Sequence, residues 1–518
     1  MIAKTFGGAL VGIDALSIRV ETSIELGVNF MLVGLPDIAV KESHYRIATA
    51  LQQTGYHVPG RKIIINMAPA DLRKEGAAYD LTLAIGILAA SNQIKNSGPI
   101  KNSIEDYMIM GELSLDGYLQ PIKGALSLTI EALKQHFKGI ILPIQNAKEA
   151  AIVNGIKVYG ATKLTEVIDF FKGYDHLQAM NYPPNKECTP YTEDDLDFSD
   201  VKGQEAAKRA LEITAAGGHN ILLIGPPGSG KTMLAKRLPS ILPPLSLEEA
   251  LETTKIHSVA GKLSNYTSLM TKRPFRDPHH TISYTALVGG GSNPQPGEIS
   301  LAHNGVLFLD ELPEFTRTTL EVLRQPLEDR HICISRAKMK VEYPAGFMLV
   351  ASMNPCPCGY YNSPSIPCTC KPDTIQKYLN KISGPLLDRI DLQIQVSPVK
   401  YTDLAKEEKA ESSAEINRRV MEARRLQDLR FKNSKIHCNA QMNTRQITQF
   451  CVLSDSCKNL LEHTTNIYHL SARAYHRILK VARTIADLKH AEVITEEHIA
   501  EAIHYRCLDK GNWGEQNI

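Results

Sequence analysis

The sequence predicts an α/β protein built on a doubly wound parallel sheet, with an α+β domain before it and a helical domain after it. Three observations carry that prediction. Strand-like and helical runs alternate from Phe198 to about Pro398, the apolar run Ile221–Ile224 opens straight into a glycine-rich turn and a helix, and from Tyr401 onward the chain reads almost entirely as helix. The 518 residues are enough for about three domains, with 43% apolar and 22% charged residues, as in ordinary globular protein. The formal charge of +2 means that nucleic acid would have to be held by local basic surface.

Residues 1–175 mix strand-like stretches (IRVETSI, FMLVGL, KIIINMA) with helical ones (VKESHYRIATALQQTG, YDLTLAIGILAAS), which predicts an α+β domain. The opening stretch MIAKTFGGALVGIDAL lacks the compact apolar core of a signal peptide, and the run Leu81–Ala90 is too short to span a bilayer. The expectation is a cytoplasmic chain with no membrane partner. Residues 176–197, polar and proline-containing, read as a linker. The final amphipathic stretch ITEEHIAEAIHYR has Thr495 as its helix cap.

The stretch GPPGSGKT, Gly225-Pro226-Pro227-Gly228-Ser229-Gly230-Lys231-Thr232, lies between a strand and a helix. Its glycines let backbone N–H groups converge on phosphate, Lys231 reaches the β- and γ-phosphates, and the Thr232 hydroxyl suits Mg2+. GVLFLDEL adds a second buried strand with Asp310 at its carboxyl end for the magnesium shell and Glu311 to polarise a water. Two adjacent carboxylates can also mark a surface turn; the phosphate loop selects the catalytic reading. A third strand, GFMLVASMNP, ends in Asn354, which suits either water orientation or an Asx turn before Pro355. In SGPLLDRIDLQIQV, Arg389 either serves a neighbouring subunit's phosphoryl transfer or pairs with Asp388 or Asp391.

Taken in order, GPPGSGKT, VLFLDE, SMNP, SGPLLDRID and LSARAYHRILKVARTIADL resemble the AAA+ ATPases, and among them the magnesium-chelatase-like YifB/ComM family. The resemblance covers essentially the whole chain. It implies a Lon-protease-like (S5-type) α+β domain over 1–175, an AAA+ module over 198–400 and a helical lid over 401–518. It further implies ATP and Mg2+ as cofactors, Asn354 as first sensor, Arg389 as arginine finger and Arg473 as second sensor, with Arg477 one turn away as the alternative. DVKGQEAAKRALEIT resembles the adenine-packing segment, making Val201, Gly203 and Gln204 nucleotide contacts. A homohexameric ring is implied as well, consistent with an arginine acting in trans.

Other stretches bear on what such a motor engages. In DRHICISRAKMKVEY, Arg336, Lys338 and Lys340 recur at period two, so they are expected on one strand face of a basic hairpin, either simply solvated or, as the resemblance implies, projecting into the ring pore toward DNA. His279 and His280 precede the acidic strand and read as structural, since two adjacent histidines without further ligands make a poor metal site. Arg418, Arg419, Arg424, Arg425 and Arg430 alternate with acids on a helix, the pattern of a salt-bridged face. Cys356, Cys358, Cys368 and Cys370 form two C-x-C pairs, which can hold a structural Zn2+ or remain reduced thiols.

The Lon-like resemblance raises peptide hydrolysis and then argues against it. The serine position falls on Ala78 and the lysine position on Leu126, which leaves neither nucleophile nor base. The expected function is an ATP-driven hexameric helicase or translocase that promotes branch migration of strand-exchange junctions in natural transformation and recombination. Its expected partners are single-stranded and branched DNA and a recombinase. The alternative is a chelatase-type motor that remodels a protein partner for metal insertion.

Overall fold

The structure is a computed structural model that describes every residue except 1, 96, 175–176, 181–195, 264–268, 292–293, 337–338, 362–365, 400–409, 433, 435, 469 and 507–518, and in the hairpin strands the side chains of Arg336 and Met339. Most of the linker expected at 176–197, the junction expected near 400 and Lys338 therefore lie outside the described residues. The chain divides into two compact units, one formed by 1–187, 247–270 and 294–296, the other by 188–246, 271–293 and 297–518.

The first unit is built on an eight-stranded mixed sheet. Its order is Ala179–Met180, Lys157–Ala161, Gly139–Pro143, Tyr107–Ile109, Ile2–Val11, Asp14–Glu25, Lys62–Ala68 and Phe30–Val33. The stretch KIIINMA alternates strictly between half-buried and buried positions, so Ile63, Ile65 and Met67 face the core. Each such side chain contributes roughly 1.5–3 kcal/mol of burial. Helix Asp80–Ala90 has no polar face and is buried along nearly its whole length, packed across the two long N-terminal strands. A segment from much later in the sequence, helix Leu247–Val259, packs on helix Ala125–Lys134 of this unit.

The second unit holds the predicted doubly wound sheet. Five strands, all parallel, run in the order Phe275–Arg276, Val306–Leu309, Met348–Met353, Ile221–Ile224, Leu392–Gln395. Ile221–Ile224 and Val306–Leu309 are buried at every position, the continuous apolar pattern of a sheet covered on both faces. Among the described residues, five α-helices follow, Ser413–Phe431, Thr444–Phe450, Asp455–Tyr468, Ala472–Leu488 and Glu496–His504. They are not a separate core: Ile416, Ile485 and Ile499 belong to the same apolar cluster as Leu223 and Phe308. Ser412 and Glu415 close a capping box at the first of these helices. Three of its arginines face protein partners: Arg419 pairs with Glu212 at 2.5 Å, Arg430 with Asp487 at 2.6 Å, and Arg424 donates to the Ala215 carbonyl, while Arg418 and Arg425 are exposed.

Candidate functional site

Parallel register brings three strand ends to one edge. Ile224 lies opposite Met353 and Leu309 opposite Ala351, so Gly225, Asp310 and Asn354 all leave the sheet at its carboxyl side, where open α/β sheets bind ligands. The phosphate loop starts helix Lys231–Ile241 through Gly230 at φ +87°, with Gly228 at φ +75°. Both angles lie in the left-handed region that favours glycine. A Cβ on Gly228 would meet nothing within 4 Å, so the space over the loop is free for an anion, whereas one on Gly225 would run into the Val396 carbonyl.

Lys231 Nζ donates to the carbonyls of Gly225 (2.8 Å) and Pro226 (3.0 Å) and to Asn354 Oδ1 (3.3 Å). Burial lowers its pKa from the ordinary lysine value, with Asp310 and Glu311 opposing that shift. The buried Ser229 Oγ has no hydrogen-bond partner. A buried cation held only by neutral oxygens, an orphaned hydroxyl and an open glycine cradle fit a polyphosphate. The magnesium pair fits too, since Thr232 Oγ1 donates to Asp310 Oδ2 at 2.7 Å, placing the two expected ligands in contact. Ser352 Oγ donates to the other Asp310 oxygen and fixes the carboxylate. Ser352 is the one hydroxyl in the apolar run MLVASM and lies two residues before Asn354, a signal the sequence reading passed over.

Glu311 takes φ +53°, rare for a residue with a side chain and frequent at functional sites. Its carboxylate is 57% exposed and 3.6 Å from His280 Nδ1. His279 contacts Thr281 at 2.9 Å and no metal cluster includes either histidine among the described residues. The sequence carried no sign that His280 reaches Glu311, because that contact depends on how a distant loop folds over the strand ends.

Gln204, at φ +63°, donates to the carbonyls of Ser229 (3.2 Å) and Ser397 (2.5 Å) and so braces the phosphate loop. Gly203 precedes it at φ +65°, and Val201 is fully buried in the core, its N–H bonded to the Phe198 carbonyl at 3.0 Å. Arg389 pairs with neither Asp388 nor Asp391. Its guanidinium, 6% exposed, binds Glu328 at 2.6 Å and the Pro385 carbonyl, and its Nε has no partner. Asp391 instead binds Arg477, accepts from the Asn220 N–H at 3.0 Å and lies 3.4 Å from His219 Nδ1. Burial alone would raise the Asp391 pKa, but Arg477 and His219 hold it well below the usual carboxylate range. Arg473, by contrast, is exposed in the first turn of Ala472–Leu488.

The hairpin forms, but the one-face expectation needs correction. Strands His331–Arg336 and Met339–Pro344 pair with Arg336 opposite Met339 and Ser335 opposite Lys340, so the chain reverses within the basic stretch and Arg336 and Lys340 take alternate register positions. Period two along one strand cannot survive a turn. Lys340 is exposed and sits 3.1 Å from Glu342, while Ile332, Ile334, Val341 and Tyr343 are buried.

The four cysteine sulfurs lie within 4.8 Å of one another, with separations of 3.3 Å (Cys356–Cys358), 3.5 Å (Cys358–Cys368) and 3.7 Å (Cys356–Cys368). A tetrahedral site with Zn–S of about 2.3 Å spaces its sulfurs by about 3.8 Å, so the donor set fits zinc. Burial, and then the neighbouring sulfurs, push the Cys368 thiol up to about 12.

Comparison with known proteins agrees with this geometry. Residues 197–404 match the family described as magnesium chelatase, subunit ChlI, residues 20–146 match subunit ChlI of Mg-chelatase, and residues 410–506 match the ChlI C-terminal family. The chain is 47% identical to the uncharacterized protein YifB of Escherichia coli (strain K12) over 97% of its own length and 96% of the relative's. It is 43% identical to the competence protein ComM of Haemophilus influenzae over 98% of both chains. A partial likeness, 32% identity over 27% of this chain and 26% of the relative, links it to Lon protease 2 of Bacillus subtilis. Similarity of this extent, on a parallel sheet whose strand ends carry Lys231, Asp310 and Asn354, makes the chain a member of the YifB/ComM family of magnesium-chelatase-like AAA+ ATPases.

Proposed function

We propose that the chain works as a homohexameric, ATP-driven motor on DNA that promotes branch migration of strand-exchange junctions, as natural transformation and homologous recombination require. The carrying observation is an intact hydrolytic constellation in a chain 43% identical, over 98% of its length, to a competence protein. In this reading Gly225–Thr232 cradle the phosphates, Asp310 and Thr232 hold Mg2+, and Gln204, Gly203 and Val201 line the nucleotide through backbone and brace. Bound Mg2+ would neutralise charge developing on the phosphate oxygens. Glu311 accepts the proton of the attacking water, and Asn354 orients that water from beside Lys231.

Arg389 acts across the subunit boundary after leaving Glu328, the step that would couple hydrolysis to ring contacts. Arg473 is the better second sensor, because Arg477 is already committed to Asp391. The reading assigns 1–175 to a Lon-like platform without peptidase chemistry, 176–197 to a linker, 198–400 to the motor and 401–518 to its lid. Cys356, Cys358, Cys368 and Cys370 hold a structural zinc, the hairpin of Arg336, Lys338 and Lys340 contacts DNA in the pore, a recombinase supplies the junctions, and the protein works in the cytoplasm. No helix among the described residues is long and apolar enough to cross a membrane.

The test is displacement of a labelled strand from a three-stranded DNA junction by the purified chain with ATP, beside Glu311→Gln. Movement by the first alone supports the motor. ATP hydrolysis indifferent to DNA, with no strand movement, overturns it. A second reading, a motor remodelling a protein partner for metal insertion, is favoured by the magnesium-chelatase descriptions of all three matched families. It predicts ATPase stimulation by a protein partner and none by DNA. Combining Arg336→Ala, Lys338→Ala and Lys340→Ala should remove DNA stimulation while basal hydrolysis persists.

A further inference from the structure

The cysteine loop touches the nucleotide site at two places. Its first limb, Cys356–Gly359, leaves the sheet two residues after Asn354 and turns back through a hydrogen bond from the Gly359 N–H to the Cys356 carbonyl at 2.9 Å. Gly359 sits at φ +87° directly against the phosphate loop: a Cβ there would lie 2.5 Å from Pro227 Cδ and 2.9 Å from Cγ, closer than real Cβ atoms come. The second limb, Cys368–Cys370, runs into helix Pro372–Leu379. Buried Tyr378 of that helix accepts a hydrogen bond at its hydroxyl from the Asn354 backbone N–H. Among the described residues the limbs meet at their sulfurs, which also accept from the Thr369 and Cys358 backbone N–H groups, with the buried Cys356 at the junction.

The geometry points to the cysteine loop as the outer brace of the phosphate loop: with its four thiolates tied to one divalent ion, Gly359 backs Pro227, Tyr378 backs Asn354, and metal occupancy sets nucleotide affinity. This rests on the reading of the four cysteines as a metal site. A divalent ion bound by all four sulfurs ties the two limbs together, and without it both limbs lose that tie. Pro227 is otherwise exposed, and Gly359 lies against its ring. A clamped loop presents phosphate-binding N–H groups already ordered, and that order favours binding.

The experiment uses the full chain, metal analysis and titration with a fluorescent ATP analogue. Gly359→Ala should retain about one zinc per chain and bind nucleotide at least about tenfold more weakly. Pro227→Ala removes the two ring atoms the new methyl would strike, so Gly359→Ala should weaken binding less in the Pro227→Ala background than in the wild type. Stripping zinc with a chelator should weaken binding by a similar factor, reversed by added Zn2+. Unchanged affinity in zinc-replete Gly359→Ala, or unchanged affinity after stripping, overturns the proposal, and the second measurement decides if Gly359→Ala loses its metal. A wild-type chain purified without chelator and carrying no zinc would sink the metal reading itself, whereas the Gly359 and Pro227 cycle would still judge the brace.

Discussion

Two places in this chain are read against catalytic sites of known families, the Lon-like positions Ala78 and Leu126 and the nucleotide site, and their structures are opposites. At the Lon-like positions of the first unit the side chains are a methyl and an isobutyl group. Leu126 is fully buried, its N–H bonded to Glu149 Oε1 at 3.0 Å. The neighbouring surface is covered by residues 247–270: the Gly124 N–H donates to the Ser258 carbonyl, and Lys123 lies against Gly261. At the nucleotide site the opposite holds, with a buried ammonium, an unpartnered hydroxyl and a left-handed glutamate all retained. Such features cost stability and persist where they serve a reaction. The first site pairs a buried isobutyl group with satisfied backbone hydrogen bonds, whereas the nucleotide site stays polar and incompletely satisfied.

The sharpest way to break this contrast is at its two extremes. Lys231→Ala should abolish ATP turnover, and Glu311→Gln should lower kcat by roughly 10²–10⁴-fold while nucleotide still binds, read by phosphate release beside fluorescent-nucleotide titration. Conversely, Ala78→Ser with Leu126→Lys should yield no peptidase activity and lower stability by several kcal/mol, since an amine would replace a fully buried isobutyl group. Casein cleavage by that double variant would show that the first cleft is closed in appearance only.

The contrast also explains what could be read from sequence. Gly225–Thr232, Asp310–Glu311 and Asn354 were legible because each motif is contiguous and each strand announces its end by a switch from apolar to polar. The contacts that tune them were not. Ser352 reaches Asp310 and Gln204 reaches Ser229 through strand register and loop path, and Arg389 found Glu328, 61 residues upstream, instead of its sequence neighbours. The hairpin misled because period two was counted through a turn. Residues 247–270 lie inside the matched ATPase stretch yet pack with the first unit, which local periodicity cannot reveal.

Asp391 is the next test. It ties the end of the Arg389 segment to Asn220, at the start of the phosphate-loop strand, and to Arg477 on the long C-terminal helix. Asp391→Asn leaves Arg477 without its buried partner and should cost about 3–5 kcal/mol by denaturant unfolding. The folded-state pKa is depressed, so this stabilisation is fully present above the ordinary aspartate value of about 3.9 and is lost as pH falls below it. The wild type should therefore lose stability between about pH 5 and lower values more steeply than the variant.

The smallest effects ask what holds residues 247–270 against the first unit. Lys255 Nζ lies 2.9 Å from Asp14 Oδ1, but the Asp14 side chain is 63% exposed, so water and salt screen the pair. Ile256, one residue on, is fully buried, with Ala250, Thr253 and Val259 nearly so. Burial is directionless and unscreened, and truncating a buried isoleucine leaves a cavity as well as losing transfer energy. Ile256→Ala should thus cost about 2–4 kcal/mol, and a Lys255→Ala/Asp14→Ala double-mutant cycle should give a coupling below about 1 kcal/mol. Were the ion pair to couple more strongly than the isoleucine truncation, the covering of the closed cleft would be electrostatic, and it should then loosen in high salt while the nucleotide site held.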